Sequence, residues 1–218
     1  MNNIFPILGI ETSSELCSAA LIINEDINYE INIKKKHSHS EKLFDIIDNL
    51  FVNSGYNLNN INSIAVSMGP GSFTGLRIGL SAVKGIALGS NLPIIPVPSF
   101  DALALQISNY LKVGTLFNII NEVNREQVYF AKFVKEDFFY FTKDKLSIVD
   151  KNQVHSLIDD EELIFGDYYS EESRKESSLL RAIYVAKWAY IFGKDLLTFN
   201  YDYLEPNYLK KFVTRTKK

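Results

Sequence analysis

The chain has 218 residues, 46% of them hydrophobic and 22% charged, with 23 Lys plus Arg against 26 Asp plus Glu and a formal net charge of −3. That length allows one large domain or two lobes of about a hundred residues each, and the composition requires no disordered tract. A net-acidic chain is not a general electrostatic binder of nucleic acid, so any such contact is local.

The run IFPILGI (4–10) reads as a buried strand, GIETSSE as a turn and LCSAALIIN as a second strand, which together make a hairpin around Glu11 to Glu15. Cys17, the single cysteine, excludes an intrachain disulfide framework and sits in an apolar run, where it reads as a small buried hydrophobe rather than a reactive thiol. In INYEINIKK, Ile27, Tyr29, Ile31 and Ile33 share one face of a half-solvated third strand. The period then changes. Ser38, His39, Ser40 and Glu41 form a capping box ahead of a helix. Leu43, Ile47, Leu50 and Phe51 fall on its inner face, Phe44 and Ile46 widen that face, and the helix stops near Ser54-Gly55. INSIAVSMG is a strand, and a helix follows from Ser72 to about Gly89. LPIIPVPS is a further strand, and SFDALALQISNYL a helix capped by Ser99. The second half begins again in the same order. TLFNIINEV, QVYFAKFV and FFYFTKDKLSIV are strands, NQVHSLI is a short helix, ELIFGD a strand and SSLLRAIYVAKWAYIFGK a long amphipathic helix. The repetition of elements predicts two related α/β lobes, residues 1–100 and 101–218, joined near 98–114.

The stretch SMGPGSFTGLRIGLSAVKGIALG (67–89) carries two signals. Gly69, Pro70 and Gly71 precede Ser72, a good N-cap, and amides exposed at a helix start bind anions. A phosphate loop of the usual kind would need Gly-Lys-Ser/Thr at the helix start, and no lysine stands there. The helix itself places Gly75, Gly79, Ala82, Gly85 and Gly89 at steps of three or four, beside a stripe of Leu76, Leu80, Val83 and Ala87. Each interior glycine costs about 1 kcal/mol relative to alanine. A tight internal helix–strand contact would explain one or two of them. A stripe along the whole helix points to a close helix–helix crossing with a second subunit.

The strings ILGIETSSELCSAALI, HSHSEKLFDIIDNLF, SIAVSMGPGSFTGLRIGLSAVKGIALGSNLPIIPVPSFDALA and LEPNYLKKF resemble the TsaB (YeaZ) family. The likeness is strong over residues 4–105, weaker from about 114 to 200, and returns at Glu205 to Leu209. It implies an actin-like, sugar-kinase-like (ASKHA) two-lobed α/β fold, each lobe a mixed sheet flanked by helices. It also implies a non-catalytic subunit that binds and activates the paralogous transferase TsaD. TsaD threonylcarbamoylates the adenosine 3′ of the anticodon in ANN-decoding tRNAs. TsaE would be a third partner, tRNA would be met through the complex, and the chain alone would form homodimers. In that family the partner face is made by two helices of the first lobe, here about 40–53 and 73–88. The implied interface is Leu43, Ile47, Phe51, Phe73, Gly75, Leu76, Gly79, Leu80, Ala82 and Val83.

The resemblance also sets out what chemistry to expect. The paralogue's His-Met-Glu-Gly-His metal motif aligns with Ser99, Phe100, Asp101, Ala102 and Leu103, which offer no imidazole, so no metal and no transferase activity are expected here. An actin-like ATPase or kinase and an inactive glycoprotease-like metallopeptidase homologue are the alternatives. Glu11, Thr12, Ser13, Gly71 and Ser72 are the candidate nucleotide contacts, Thr12 and Ser13 serving equally well to close a turn. No cofactor of its own is expected, with ATP or ADP at the complex interface. His37 and His39 read as solvated capping residues rather than a metal pair. Arg125 reads as a positioned cation or a hairpin salt bridge, and Asp167 as a loop carboxylate. Lys210, Lys211, Arg215, Lys217 and Lys218 make a basic tail that either meets tRNA phosphates or stays solvated. The opening residues lack the basic region and cleavage site of a secretory signal, no apolar run reaches the length of a membrane span, and the expected location is the cytoplasm.

Overall fold

A computed structural model of the chain describes residues 4–35, 39–168 and 176–209. The first sheet has five strands: β1 (Ile7–Glu11), β2 (Leu16–Ile22), β3 (Asn28–Lys34), β4 (Ser63–Ser67) and β5 (Ile94–Val97), in the order β3-β2-β1-β4-β5. β1, β2 and β3 pair antiparallel, while β4 and β5 are parallel to β1. The second sheet repeats the opening of this plan with β6 (Leu116–Glu122), β7 (Gln127–Lys135), β8 (Tyr140–Asp150) and β9 (Leu163–Phe165), in the order β8-β7-β6-β9. Again an antiparallel meander comes first and a strand parallel to its first member follows. The repetition of elements in the sequence is thus a repetition of topology.

Among the described residues, four α-helices cover the sheets. α1 (His39–Ser54) and α2 (Phe73–Ser90) lie on one face of the first sheet. There Leu8 and Ile10 of β1 and Ile64 and Val66 of β4 meet Leu43, Ile46, Ile47 and Leu50 of α1 and Leu80, Val83 and Ala87 of α2. The opposite face, with Ile7, Ala65, Ile95 and Val97, packs on α3 (Ser99–Ser108) and α4 (Ala182–Phe192). Phe117, Ile119 and Phe133 of the second sheet close on the same two helices, so α3 and α4 form a middle layer between the sheets. Burial on both faces explains why β1, β4 and β5 read as unbroken apolar runs rather than alternating ones. Single turns of 3₁₀ helix at Leu58–Asn60, Lys194–Leu196 and Tyr201–Tyr203, and a longer one at Lys151–Leu157 where NQVHSLI stands, complete the regular structure.

α4 belongs to the second half of the chain yet lies against β1, β2 and β4 of the first sheet. Its first turn is held by that sheet. Ala182 N donates to Ser18 Oγ at 2.9 Å, and Ile183 N donates to Glu30 Oε1 at 3.0 Å. Glu30 Oε2 also takes the Arg181 guanidinium, so a nearly buried carboxylate serves both a cation and the positive end of a helix. A Cβ at Gly9 would lie 2.5 Å from Ala182 O, which is why β1 carries a glycine where α4 crosses it.

Two local expectations are corrected. The long helix over 177–194 is shorter, because 177–181 are spent otherwise: Gln106 Nε2 donates to the Ser177 and Leu179 carbonyls, and Arg181 N donates to Gln106 Oε1. Ser99 is not the cap of α3 but its first residue. Pro98 precedes it, and Ser99 Oγ accepts from Gly69 N at 2.9 Å, tying α3 to the loop before α2.

A candidate partner surface on the outer helix pair

The β1–β2 hairpin sits under α2. Thr12 Oγ1 donates to Gly75 O at 2.8 Å, and Ser72 N donates to Ser13 O at 2.7 Å. Ser72 caps α2 as its residue type requires, its Oγ accepting from Gly75 N. A Cβ at Gly75 would overlap the Thr12 carbonyl oxygen, one at Gly79 would overlap the Thr12 hydroxyl, and one at Gly71 would lie 2.6 Å from Ser13 O. The same hairpin reaches α1, where His39 Nε2 lies 3.0 Å from Ser14 O. His39 is therefore a buried tether and not a solvated cap. His37 and Ser38, the rest of that expected motif, lie outside the described residues, as does the basic tail from Lys210 onward.

Beneath the hairpin Glu11 is completely buried. Its Oε1 accepts from Ser13 N and Ser13 Oγ, while Oε2 has no hydrogen-bond partner. Burial pushes the carboxyl up to about 7, outweighing the lowering effect of Ser13 and of the nearby Ser67 hydroxyl. Cys17 is buried beside it, and burial followed by the Glu11 charge raises the thiol to about 11, in keeping with an inert packing residue. The five candidate nucleotide contacts thus divide. Glu11, Thr12 and Ser13 are sealed beneath α2 with donors spent on their own chain, whereas Gly71 and Ser72 are exposed. Among the described residues no group of three His, Cys, Asp or Glu side chains converges on a metal position.

The ten residues expected at a partner face divide in the same way. Leu43, Ile47, Gly75, Leu76, Gly79, Leu80 and Val83 are buried within the chain. Phe51 and Ala82 are half-buried, and Phe73 is exposed. The reading that Gly75 and Gly79 make room for a foreign backbone is corrected, because Thr12 fills that room. The cause is the helical period. At 100° per residue a step of three falls about 60° short of a full turn, so the two such steps from Gly79 to Gly85 carry the glycines about 120° around the helix. Gly85 and Gly89 therefore face outward, with nothing within 4 Å of an added Cβ.

The outward sides of α1 and α2 were the part missed by sequence reasoning. α1 exposes Phe44, at 52%, and Val52, at 80%, and α2 exposes Leu88, at 74%, beside its two open glycines. Phe44 had been assigned to the inner face, but the wheel angle from Leu43 places it a quarter-turn away, a signal available in the spacing. The charges separate as well. Glu41, Asp45 and Asp48 line exposed positions of α1, whereas α2 has no acid and carries Arg77 and Lys84. At the start of α2 the segment 204–209 folds over the helix. Asn207 N donates to Met68 O at 2.7 Å, Tyr208 stacks on Phe73 with centroids 5.0 Å apart, and Arg77 lies 3.9 Å over the Phe73 ring.

The remaining expected residues lie in the second sheet. Asp167 Oδ1 accepts from Glu122 N at 2.7 Å, so it has a partner in the β6–β7 hairpin. Burial raises its carboxyl above the usual range against the lowering effect of that bond. Arg125 is exposed at the hairpin tip without an ion pair among the described residues. Asp101, at the centre of the stretch that aligns with the paralogue's metal motif, accepts from Tyr140 OH at 3.0 Å, and Trp188 Nε1 donates to the same hydroxyl.

Two mixed sheets of repeated topology with helices on and between them define a two-lobed α/β protein. YeaZ from Pseudomonas aeruginosa has the same fold, with a TM-score of 0.74 and 18% identity over 93% of this chain and 99% of that one. The family model for TsaD, tRNA N6-adenosine threonylcarbamoyltransferase, matches residues 30–136, which include both outer helices. The tRNA threonylcarbamoyladenosine biosynthesis protein TsaB of Haemophilus influenzae is 28% identical over 97% of this chain and 96% of its own. The protein of that name from Buchnera aphidicola subsp. Baizongia pistaciae is 33% identical over 66% of this chain and 64% of its own. Over nearly its whole length the chain is thus similar to the TsaB (YeaZ) proteins of tRNA threonylcarbamoyladenosine biosynthesis. No helix among the described residues is long and apolar enough to cross a membrane.

Proposed function

We propose that this protein is a non-catalytic subunit that binds the transferase TsaD through the outward sides of α1 and α2 and supports its activity. The observation that carries the reading is that the outward sides of this helix pair expose Phe44 and Val52 on α1 and Leu88 on α2, with nothing within 4 Å of a Cβ added at Gly85 or Gly89 of α2. Such a surface lets another helix approach closely and gives it apolar area to bury. The TsaD family model spans this same pair, which fits a partner built on the same plan and a pseudo-symmetric pairing. Ser99 and Asp101 stand where the paralogue carries its metal motif and are engaged in packing α3, which favours a supporting role over catalysis. TsaE and tRNA are read as partners of the complex rather than of this chain alone, and a homodimer through the same face as its state without TsaD.

The reading assigns no nucleotide chemistry to the isolated chain, because Glu11 and Thr12 are closed off beneath α2. The test is Gly85→Trp, which places a bulky side chain on the open face without touching the core. The variant is expected to keep the parent's far-ultraviolet circular dichroism as a folded monomer, to lose co-purification with the TsaD of the same organism, and to fail to support tRNA modification in a reconstituted assay. A folded Gly85→Trp protein that binds TsaD with unchanged affinity would refute the proposal.

A further inference from the structure

The α1/α2 face carries one side chain already arranged for a charged ligand. Arg77 is exposed on α2, yet it is not loose. Its guanidinium carbon lies 3.9 Å over the Phe73 ring and 5.9 Å from the centre of the Tyr208 ring. Its Nε donates to Tyr208 OH at 3.1 Å. The two rings themselves stack at 5.0 Å. Tyr208 is brought there by the segment 204–209, which is anchored one residue earlier by Asn207 N on Met68 O. A tyrosine 131 positions further along the sequence thus helps to hold this arginine in place.

A guanidinium has two edges that can take an anion in a two-pronged bond. The Nε edge is committed to Tyr208. The end-on edge, made by the two Nη groups, has no hydrogen-bond partner among the described residues. Immobilising a long side chain on binding costs conformational entropy, and here that cost is already met within the free chain. An arginine laid on aromatic rings is also partly dehydrated before any partner arrives.

We propose that Arg77 is the anion-recognising residue of the α1/α2 face and takes a carboxylate of the partner subunit TsaD in a two-pronged ion pair. The inference rests on the partner-face reading above and adds to it a residue that fixes register and specificity. Charge argues for a protein carboxylate over an RNA phosphate. The neighbouring outer surface of α1 carries Glu41, Asp45 and Asp48, of which, among the described residues, Asp45 is paired, to Lys42 at 2.8 Å. That acidic helix repels a polyanion and tolerates a partner of alternating charge. The acids of this helix pair lie on α1, whose one lysine, Lys42, is already paired to Asp45, while the charged side chains of α2 are the cations Arg77 and Lys84. A partner of the same plan, packed face to face, would set its own first helix against this chain's second, where an acid on that helix would meet Arg77.

The experiment measures affinity for TsaD by calorimetry at low and high salt, with melting curves as the control for folding. Arg77→Ala is expected to weaken binding about tenfold or more, with a shallower salt dependence, at unchanged melting temperature. Arg77→Lys, which keeps the charge and loses the planar fork, is expected to recover little of it. Tyr208→Phe, which keeps the ring and frees Nε, is expected to give a smaller loss. If Arg77→Ala and Arg77→Lys bind as the parent does while Leu88→Asp abolishes binding, the face stands and the role of Arg77 is overturned. If Leu88→Asp also binds normally, the face itself is wrong. If Arg77→Ala leaves TsaD affinity intact but lowers the affinity of the assembled complex for tRNA, the anion is a phosphate and the carboxylate assignment falls.

Discussion

The two halves of α2 look alike in sequence and differ in kind. In the first half Gly75 and Gly79 are pressed against the Thr12 hairpin, and the missing side chains are required by the chain's own fold. In the second half Gly85 and Gly89 border open space, and nothing within the chain requires them. A glycine in a helix interior is unfavourable by about 1 kcal/mol, so each needs a compensating reason. For the first pair the reason is internal packing. For the second pair the described residues offer none, which is why the proposed partner surface is centred on them.

The largest expected effect tests the internal half. Gly75→Ala sets a methyl group against the backbone of Thr12, which cannot withdraw without disturbing β1 and β2. It is expected to cost about 3 kcal/mol, read as a lowered denaturant midpoint. An unchanged midpoint would mean that the hairpin yields and that the two halves are not distinct after all.

The next effect sharpens the comparison by probing what holds the hairpin down. The buried Glu11 carboxyl is raised from 4.5 to about 7, so the folded state binds its proton more tightly than the unfolded chain does. Its stabilising contribution is complete below about pH 4.5 and is lost as pH rises through about 7. Between pH 5 and 8 the parent is expected to lose about 2–3 kcal/mol of stability from this group. Glu11→Gln should remove that part of the slope while Asp101 and Asp167, both also raised, keep theirs. Denaturant unfolding of both proteins at the two pH values provides the check, and parallel slopes would discount Glu11.

The smallest effect concerns the outer half. Gly85→Ala meets no atom and removes a helix-breaking residue, so the isolated protein should gain up to about 1 kcal/mol. If the outer surface is a close-packed partner face, the same change should weaken TsaD binding even as it stabilises the chain. Opposite signs in the two measurements would separate a glycine kept for a partner from one kept for the fold.

Much of the molecule was legible in the residues. The apolar runs of β1, β4 and β5, the alternation in β3, the cap at Ser72 and the stop at Gly55, whose φ is +72°, are local signals, and each element forms where its signal stands. The repeated order of strands carried the two-sheet topology. Less legible was anything that depends on which element lies opposite. His39 read as a surface cap and is a buried tether because Ser14 happens to face it. Ser99 read as a cap and instead serves the loop before α2.

What the sequence determined by itself is therefore periodicity, the Ser72 cap and the order of elements. These are properties of neighbours along the chain, and they suffice to name the elements and the fold. The tertiary structure alone decided which glycines of α2 are filled by Thr12 and which are open, that α4 crosses to the first sheet under Glu30 and Ser18, and that Tyr208 reaches back to fix Arg77. Those contacts join residues far apart in sequence. Their existence depends on the distances between packed layers, which no local pattern of side chains records.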